Sequence, residues 1–108
     1  EKGLKIEKAA GGVTVEELYL RRKELDGKKV AVRAKVVKVS PKIMGRNWVH
    51  LQDGTGDPAA GTNDLTVGTQ DLPVIGSVVT FLGTAAKDRA FGMGYDYKVI
   101  LEDAALAK

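Results

Sequence analysis

One slip in an alternating run narrows the fold more than any other feature. From Lys29 to Val36 apolar residues recur with period two. Val30, Val32, Ala34 and Val36 point one way; Ala31, Arg33 and Lys35 point the other. That is the pattern of a half-buried strand. After the Val36-Val37 pair the phase changes, and Lys38 falls where an inward residue should stand. One extra residue in a strand is a β-bulge, which bends the strand and increases its twist. A long strand bent in the middle serves two sheets at once, as small closed barrels require. The strand is predicted over residues 29–39, closed by Ser40-Pro41 because proline has no N–H for the ladder.

Around this strand the chain reads as a leading helix and four more strands. Thr14 has Glu17 three residues later, the capping-box spacing. Val15, Leu18, Tyr19 and Leu25 share a face, and Asp26-Gly27 supplies a stop, so a helix is predicted over residues 15–25. Strand two covers residues 46–53, with Val49 and Leu51 on one face and Trp48, His50 and Gln52 on the other. Asp53-Gly54-Thr55-Gly56-Asp57-Pro58 is turn chemistry. Strand three is short, residues 64–67. Residues 68–76 connect it onward, with room for at most one helical turn. Strand four covers 78–86, with Gly83 as a bulge. A loop is read over 86–94, and strand five over 95–102. Val32, Val49, Leu51, Val79, Phe81 and Val99 are expected to share one core. The 108 residues suffice for one core. Residues 1–12 form an arm jointed at Gly11-Gly12, and residues 13–108 an all-β domain.

Several functions are excluded by residues that are missing. There is no cysteine, hence no disulfide, thiolate zinc site or thiol nucleophile. His50 is the sole histidine, which excludes a multi-histidine metal site. It has no identifiable acid or serine partner, and no cofactor motif is present. The chain is therefore expected to be non-catalytic, with no cofactor and no metal. No run approaches the roughly 20 apolar residues of a transmembrane segment. Asp53-Gly54-Thr55-Gly56-Asp57 and Phe91-Gly92-Met93-Gly94 lack the spacing of a phosphate-binding loop and read as turns. Asp53, Asp57, Asn63 and Asp64 are oxygen donors of the kind calcium prefers, but their spacing departs from the EF-hand, and turn capping is their default role. The chain begins at Glu1, so a processed form or an excerpt of a longer protein is expected.

Charge is uneven. Residues 1–50 hold 13 of the 17 Lys and Arg, and residues 51–108 hold 8 of the 14 Asp and Glu. Between Gly27 and Trp48 there are seven basic residues and no acid. The stripe suits either a polyanionic partner or a plain solvated strand.

Asn47-Trp48-Val49-His50-Leu51-Gln52-Asp53-Gly54-Thr55-Gly56 resembles the second strand and turn of OB-fold nucleic-acid-binding domains. Residues 27–36 resemble their first strand and residues 76–83 their fourth; the family often has glycine where this chain has Ala34. A narrower resemblance covers nearly the whole chain. Ala10-Gly11-Gly12, residues 45–56, Asn63-Asp64-Leu65-Thr66-Val67 and residues 91–97 are similar to the OB domain of the NrfJ-related exported bacterial proteins. The resemblance implies a five-stranded OB-fold Greek-key barrel behind a short N-terminal α-helix. It also implies an excerpt or mature form of an exported protein that is either periplasmic or lipid-anchored.

In an OB barrel the outer face of strand two, flanked by the 1–2 and 4–5 loops, is the usual ligand platform. On that reading Trp48 stacks on a ligand ring, or is instead capped by a loop or by the arm. His50 and Gln52 hydrogen-bond. Lys42 and Arg46 from one loop, and Lys87 and Arg89 from the other, hold a polyanion backbone. Trp48 is the one clear aromatic on this face. The expected ligand is single-stranded nucleic acid or another anionic polymer. The alternative is a periplasmic protein partner docked on the same face. The chain is expected to be a monomer.

Overall fold

Val37 is the extra residue that the slip calls for. The computed structural model describes residues 4–107. In it Val36 pairs with Leu51 but Lys38 pairs with His50, so the register shifts by one across Val37. Strand β1 runs Lys29–Ile43 and β2 runs Arg46–Gln52. Residues 29–35 of β1 pair with β4 (Val78–Ala90), and residues 35–43 pair with β2. The bent strand thus belongs to both sides of the barrel.

Strand β3 (Leu65–Thr69) pairs antiparallel with β2 and parallel with β5 (Asp96–Leu106); β5 returns antiparallel to β4. The order β1-β2-β3-β5-β4 closes on itself. This is the expected five-stranded Greek-key barrel of OB type, led by helix.

The helix is divided. Helix α1 covers Val15–Leu20 and α2 covers Arg22–Leu25, with Arg21 off helical geometry between them. The Arg22 guanidinium donates to the Tyr19 carbonyl (2.7 Å), satisfying an acceptor at the break. The capping box is present: Glu17 N–H donates to Thr14 Oγ1 and Thr14 N–H to the Glu17 carboxylate. Three hydrogen bonds fix α1 at the β2–β3 connection, one of them from Glu16 N–H to Thr55 Oγ1 (3.0 Å). Val15 N–H donates to Asp53 (2.9 Å), and Tyr19 O–H donates to the Asp64 carbonyl (2.5 Å). Burial first, and then the Asp64 charge, push the Tyr19 hydroxyl up to about 12.

Other strand limits also differ from expectation. β1 continues past Pro41 because the ladder shifts again between Ser40 and Ile43, so Pro41 owes it no hydrogen bond. β3 gains Gly68 and Thr69, which pair with Trp48 and Asn47. Pairing of β4 with β5 extends to Ala90 and Asp96, so the loop read over 86–94 shrinks to a tight hairpin at 91–95. The connection after β3 holds no helical turn; one 3-10 turn instead occupies Pro58–Ala60 between β2 and β3. The β4–β5 ladder does shift between Leu82 and Thr84, at Gly83. A Cβ there would lie 2.9 Å from both Ala104 Cβ and Leu101 Cγ, so β5 packs against bare backbone.

Val32, Val49, Leu51, Phe81 and Val99 share the barrel core, joined by Val15 and Leu18 of α1. Val79 is only partly buried at its edge. Each fully buried aliphatic side chain contributes about 1.5–3 kcal/mol. The arm is not loose at its joint. Gly12 N–H donates to Ala9 (2.8 Å), Val13 N–H to Ala31 (3.0 Å), and Lys8 pairs with Glu17 (3.3 Å). Residues 1–3 of the predicted arm lie outside the described residues.

Candidate functional site

Alternation along β2 sends Val49 and Leu51 inward and Trp48 and His50 to the outer wall. That wall is not open. Strands β4 and β5 run beyond the barrel, and their hairpin brings Phe91 and Tyr97 over Trp48. Trp48, Ala86 and Ile100 form a second buried cluster with Phe91 and Tyr97 packed against it. Phe91 meets Trp48 edge-on at 5.2 Å, and Tyr97 meets Phe91 at 6.0 Å. The Arg46 guanidinium lies 5.1 Å from the Trp48 ring centre, and Trp48 Nε1 donates to the Ile43 carbonyl (2.9 Å).

Trp48 is consequently 7% exposed, which corrects the expectation of an accessible stacking ring. A large apolar ring with an N–H donor gains more from a packed neighbour and a carbonyl than from water. Its emission is expected to be blue-shifted and nearly insensitive to acrylamide. Phe91→Ala, which removes the edge contact, should make it quenchable. Strong quenching in the unaltered chain would show the hairpin standing off the barrel.

Between the hairpin tips lies a groove of about 160 Å³. Its walls are Ile43 and Met44 from the β1–β2 hairpin and Phe91, Tyr95 and Tyr97 from the other; Trp48, His50, Lys38 and Ser40 form its floor. Four of the chain's six aromatic residues meet here, against the single one expected. The volume is below the roughly 300–1,000 Å³ of sites that enclose a small-molecule ligand. It suits one or two inserted side chains.

The predicted polar residues are only partly gathered. His50 reaches the groove, and its Nδ1 lies 2.6 Å from Asp64 Oδ1. Gln52 Nε2 donates to the other oxygen of Asp64 (2.9 Å). His50 therefore has an acid partner, contrary to the sequence reading. The signal for it was the β2–β3 register, which sets Leu65 opposite Leu51 and so brings Asp64 alongside Gln52. Burial raises the Asp64 carboxyl, but the hydrogen bonds from His50 and Gln52 outweigh it and hold the group below the ordinary 3.8. A depressed carboxyl stabilises the fold fully above its unfolded value, and that share is lost as pH falls through the lower folded value. Stability measured from pH 6 downward should thus drop below about pH 4, and Asp64→Asn should flatten the drop.

The four cations do not converge. Lys42 and Arg46 border a separate hollow with Asn47 and Gln70. Lys87 sits beside α2: its N–H donates to Asp26 (3.0 Å) and its ammonium pairs with Asp88 (2.9 Å). Arg89 pairs with Glu102 (3.0 Å). The expectation of two basic loops facing each other across the platform is corrected. Sequence reasoning missed all three further aromatics of the groove: Phe91 falls in the segment read as a loop, and Tyr95 and Tyr97 at the start of strand five were given no part in the site. Of the calcium-type donors, Asp53 accepts from Val15 of α1 and from Thr55, Asp57 caps Ala59, and Asp64 is held by His50 and Gln52.

The fold and groove define an OB-type barrel with an aromatic cleft between two hairpins. No protein-family model matches the chain, and no curated protein matches it. No helix among the described residues is long and apolar enough to cross a membrane.

Proposed function

We propose that this chain is a non-catalytic OB-type binding module that seats a segment of a partner protein in the groove between its hairpins. One observation carries the reading. The groove is walled by aromatic and aliphatic side chains, of which Ile43, Met44 and Tyr95 are exposed. Aromatic residues and methionine are enriched where proteins dock, and methionine adapts its shape to irregular partners. The cations that a polyanion would need support the same reading by their commitments, since Lys87 and Arg89 carry carboxylate partners. The resemblance to exported proteins supports it too, because free nucleic acid is not the usual periplasmic cargo.

A peptide-display selection against the folded chain is expected to enrich segments with one or two large apolar side chains. Their binding should fall about tenfold or more in Tyr95→Ser or Tyr97→Ser. A mixed single-stranded oligonucleotide should bind more weakly than about millimolar, roughly −4 kcal/mol. Tight oligonucleotide binding with a steep salt dependence would reverse the reading in favour of single-stranded nucleic acid.

A further inference from the structure

We propose that the β3–β4 turn and the basic outer face of β1 form a surface that docks on an anionic lipid bilayer, with aliphatic side chains entering the headgroup layer. Half of the large apolar side chains that are exposed among the described residues lie within residues 72–82. Leu72, Val74 and Ile75 are between 60% and 74% exposed, and Val78 and Leu82 follow on β4 at 47% and 44%. Contiguous exposed apolar surface marks a place of contact with a protein or a membrane. Turns are served best by Gly, Pro, Asn, Asp and Ser, so the turn itself does not call for Val74 and Ile75.

The exposure does not come from a loose loop. Ser77 N–H closes the turn on the Val74 carbonyl (3.1 Å), with Gly76 at φ 93°. Gly76 N–H donates to the Val36 carbonyl (2.8 Å) and Val36 N–H to the Ser77 carbonyl (2.9 Å), which ties the turn to β1 next to Lys35. Ahead of it the Asp71 carboxylate accepts from Leu106 N–H (2.8 Å). The backbone is thus fixed on both sides of the exposed residues.

The charge beside the turn selects the occupant. β1 and β4 pair so that Lys29 stands opposite Thr84, Ala31 opposite Leu82, Arg33 opposite Thr80 and Lys35 opposite Val78. Directly opposite residues share a face, so three of the seven cations between Gly27 and Trp48 are interleaved with the exposed Val78 and Leu82. The neighbouring acids are engaged elsewhere: Asp71 holds Leu106, Glu102 pairs with Arg89, and Asp103 lines a separate hollow with Arg46 and Gln70. Aliphatic side chains beside Lys and Arg gain twice at an anionic bilayer, from apolar area entering the acyl boundary and from attraction to the headgroups. Protein hot spots favour Trp, Tyr and Arg, with Leu and Val under-represented. Residues 70–80 carry no aromatic, unlike the groove.

The inference stands apart from the docking reading, because this surface shares no residue with the groove. The whole chain is sedimented with vesicles of phosphatidylcholine alone and of phosphatidylcholine mixed with phosphatidylglycerol, at low and at near-physiological salt. It should bind the mixed vesicles about tenfold or more tightly than the neutral ones, and less tightly as salt rises. Val74→Ser combined with Ile75→Ser, both at exposed positions, should weaken that binding about tenfold or more. Lys29→Gln and Arg33→Gln should each weaken it about fivefold. Tyr95→Ser, which alters the groove, should leave it unchanged. Equal binding to both kinds of vesicle would overturn the lipid surface. So would binding that the double serine variant retains in full, since that is adsorption by charge alone. A concentration-dependent dimer that the double serine variant abolishes would assign the face to a second copy of the chain instead. A chain that binds the mixed vesicles in this way but selects no peptide retires the docking reading alone, and one that selects peptides but binds no vesicle retires this one alone.

Discussion

Phe81→Ala is expected to cost about 3–5 kcal/mol, as aromatic-to-alanine changes in a closed core do. Phe81 is fully buried, and on β4 it lies opposite Val32 of β1 and Leu106 of β5. A ring at the junction of three strands leaves a hole that none of them can close alone, because each is held by its ladder. The cost is a large share of the roughly 5–15 kcal/mol that stabilises a typical domain. Urea denaturation should show a midpoint shifted far down with little change in slope. Leu82→Ala is the control. Leu82 points outward and is 44% exposed, so its loss should change stability by less than about 0.5 kcal/mol. Equal losses for the two variants would mean that the face assignment along β4 is reversed.

Asp53→Ala is expected to cost about 3 kcal/mol, since it removes hydrogen bonds to a charged acceptor and strands a buried donor. The carboxylate of Asp53 is buried at the end of β2. It accepts from Val15 N–H (2.9 Å), Thr55 N–H (3.1 Å) and Thr55 Oγ1 (2.6 Å). It thereby ties the first turn of α1 to the β2–β3 turn. Asp53→Asn should recover part of the loss, because the amide oxygen still accepts but without charge. Hydrogen exchange at Val15 and Leu18 should speed up in both variants, more in the alanine one. An Asp53→Ala chain as stable as the parent would show that packing of Val15 and Leu18 alone seats the helix.

Much of the barrel was legible locally. The phase slip at Val37 foretold both the bulge and a strand shared by two sheets, because side-chain period is a backbone property that a register shift must respect. The capping box at Thr14 foretold the helix start for the same local reason. Strand ends were less legible. Pro41 looked like a terminator because the rule counts ladder bonds, and it holds only where the ladder is regular. At a bulge the missing N–H costs nothing. Residues 86–94 looked like a loop because glycines and charges dominate the segment, whereas pairing with β5 as far as Asp96 carries β4 through to Ala90.

The candidate site was less legible still. The outward side of β2 followed from alternation, so Trp48, His50 and Gln52 were placed on the correct wall. Whether that wall faces solvent depends on what lies across from it, and alternation within one strand is silent about that. Phe91 and Tyr97 come from the far end of the chain and cover Trp48 only because β4 and β5 extend past the barrel. Nor does residue type reveal pairing. Arg89 reads as a ligand-facing cation, yet Glu102, 13 positions away, takes it up once the hairpin forms.

Residue order along each strand thus set the inward and outward faces, the bend of β1 and the cap of α1, since these depend on neighbours within a few positions. Closure of the barrel by the parallel β3–β5 pair, the burial of Trp48, the meeting of His50 with Asp64 and the gathering of four aromatics between two tips belong to the tertiary structure. Each depends on residues at least 14 positions apart, the separation of His50 from Asp64, and no period or local preference connects positions at that range.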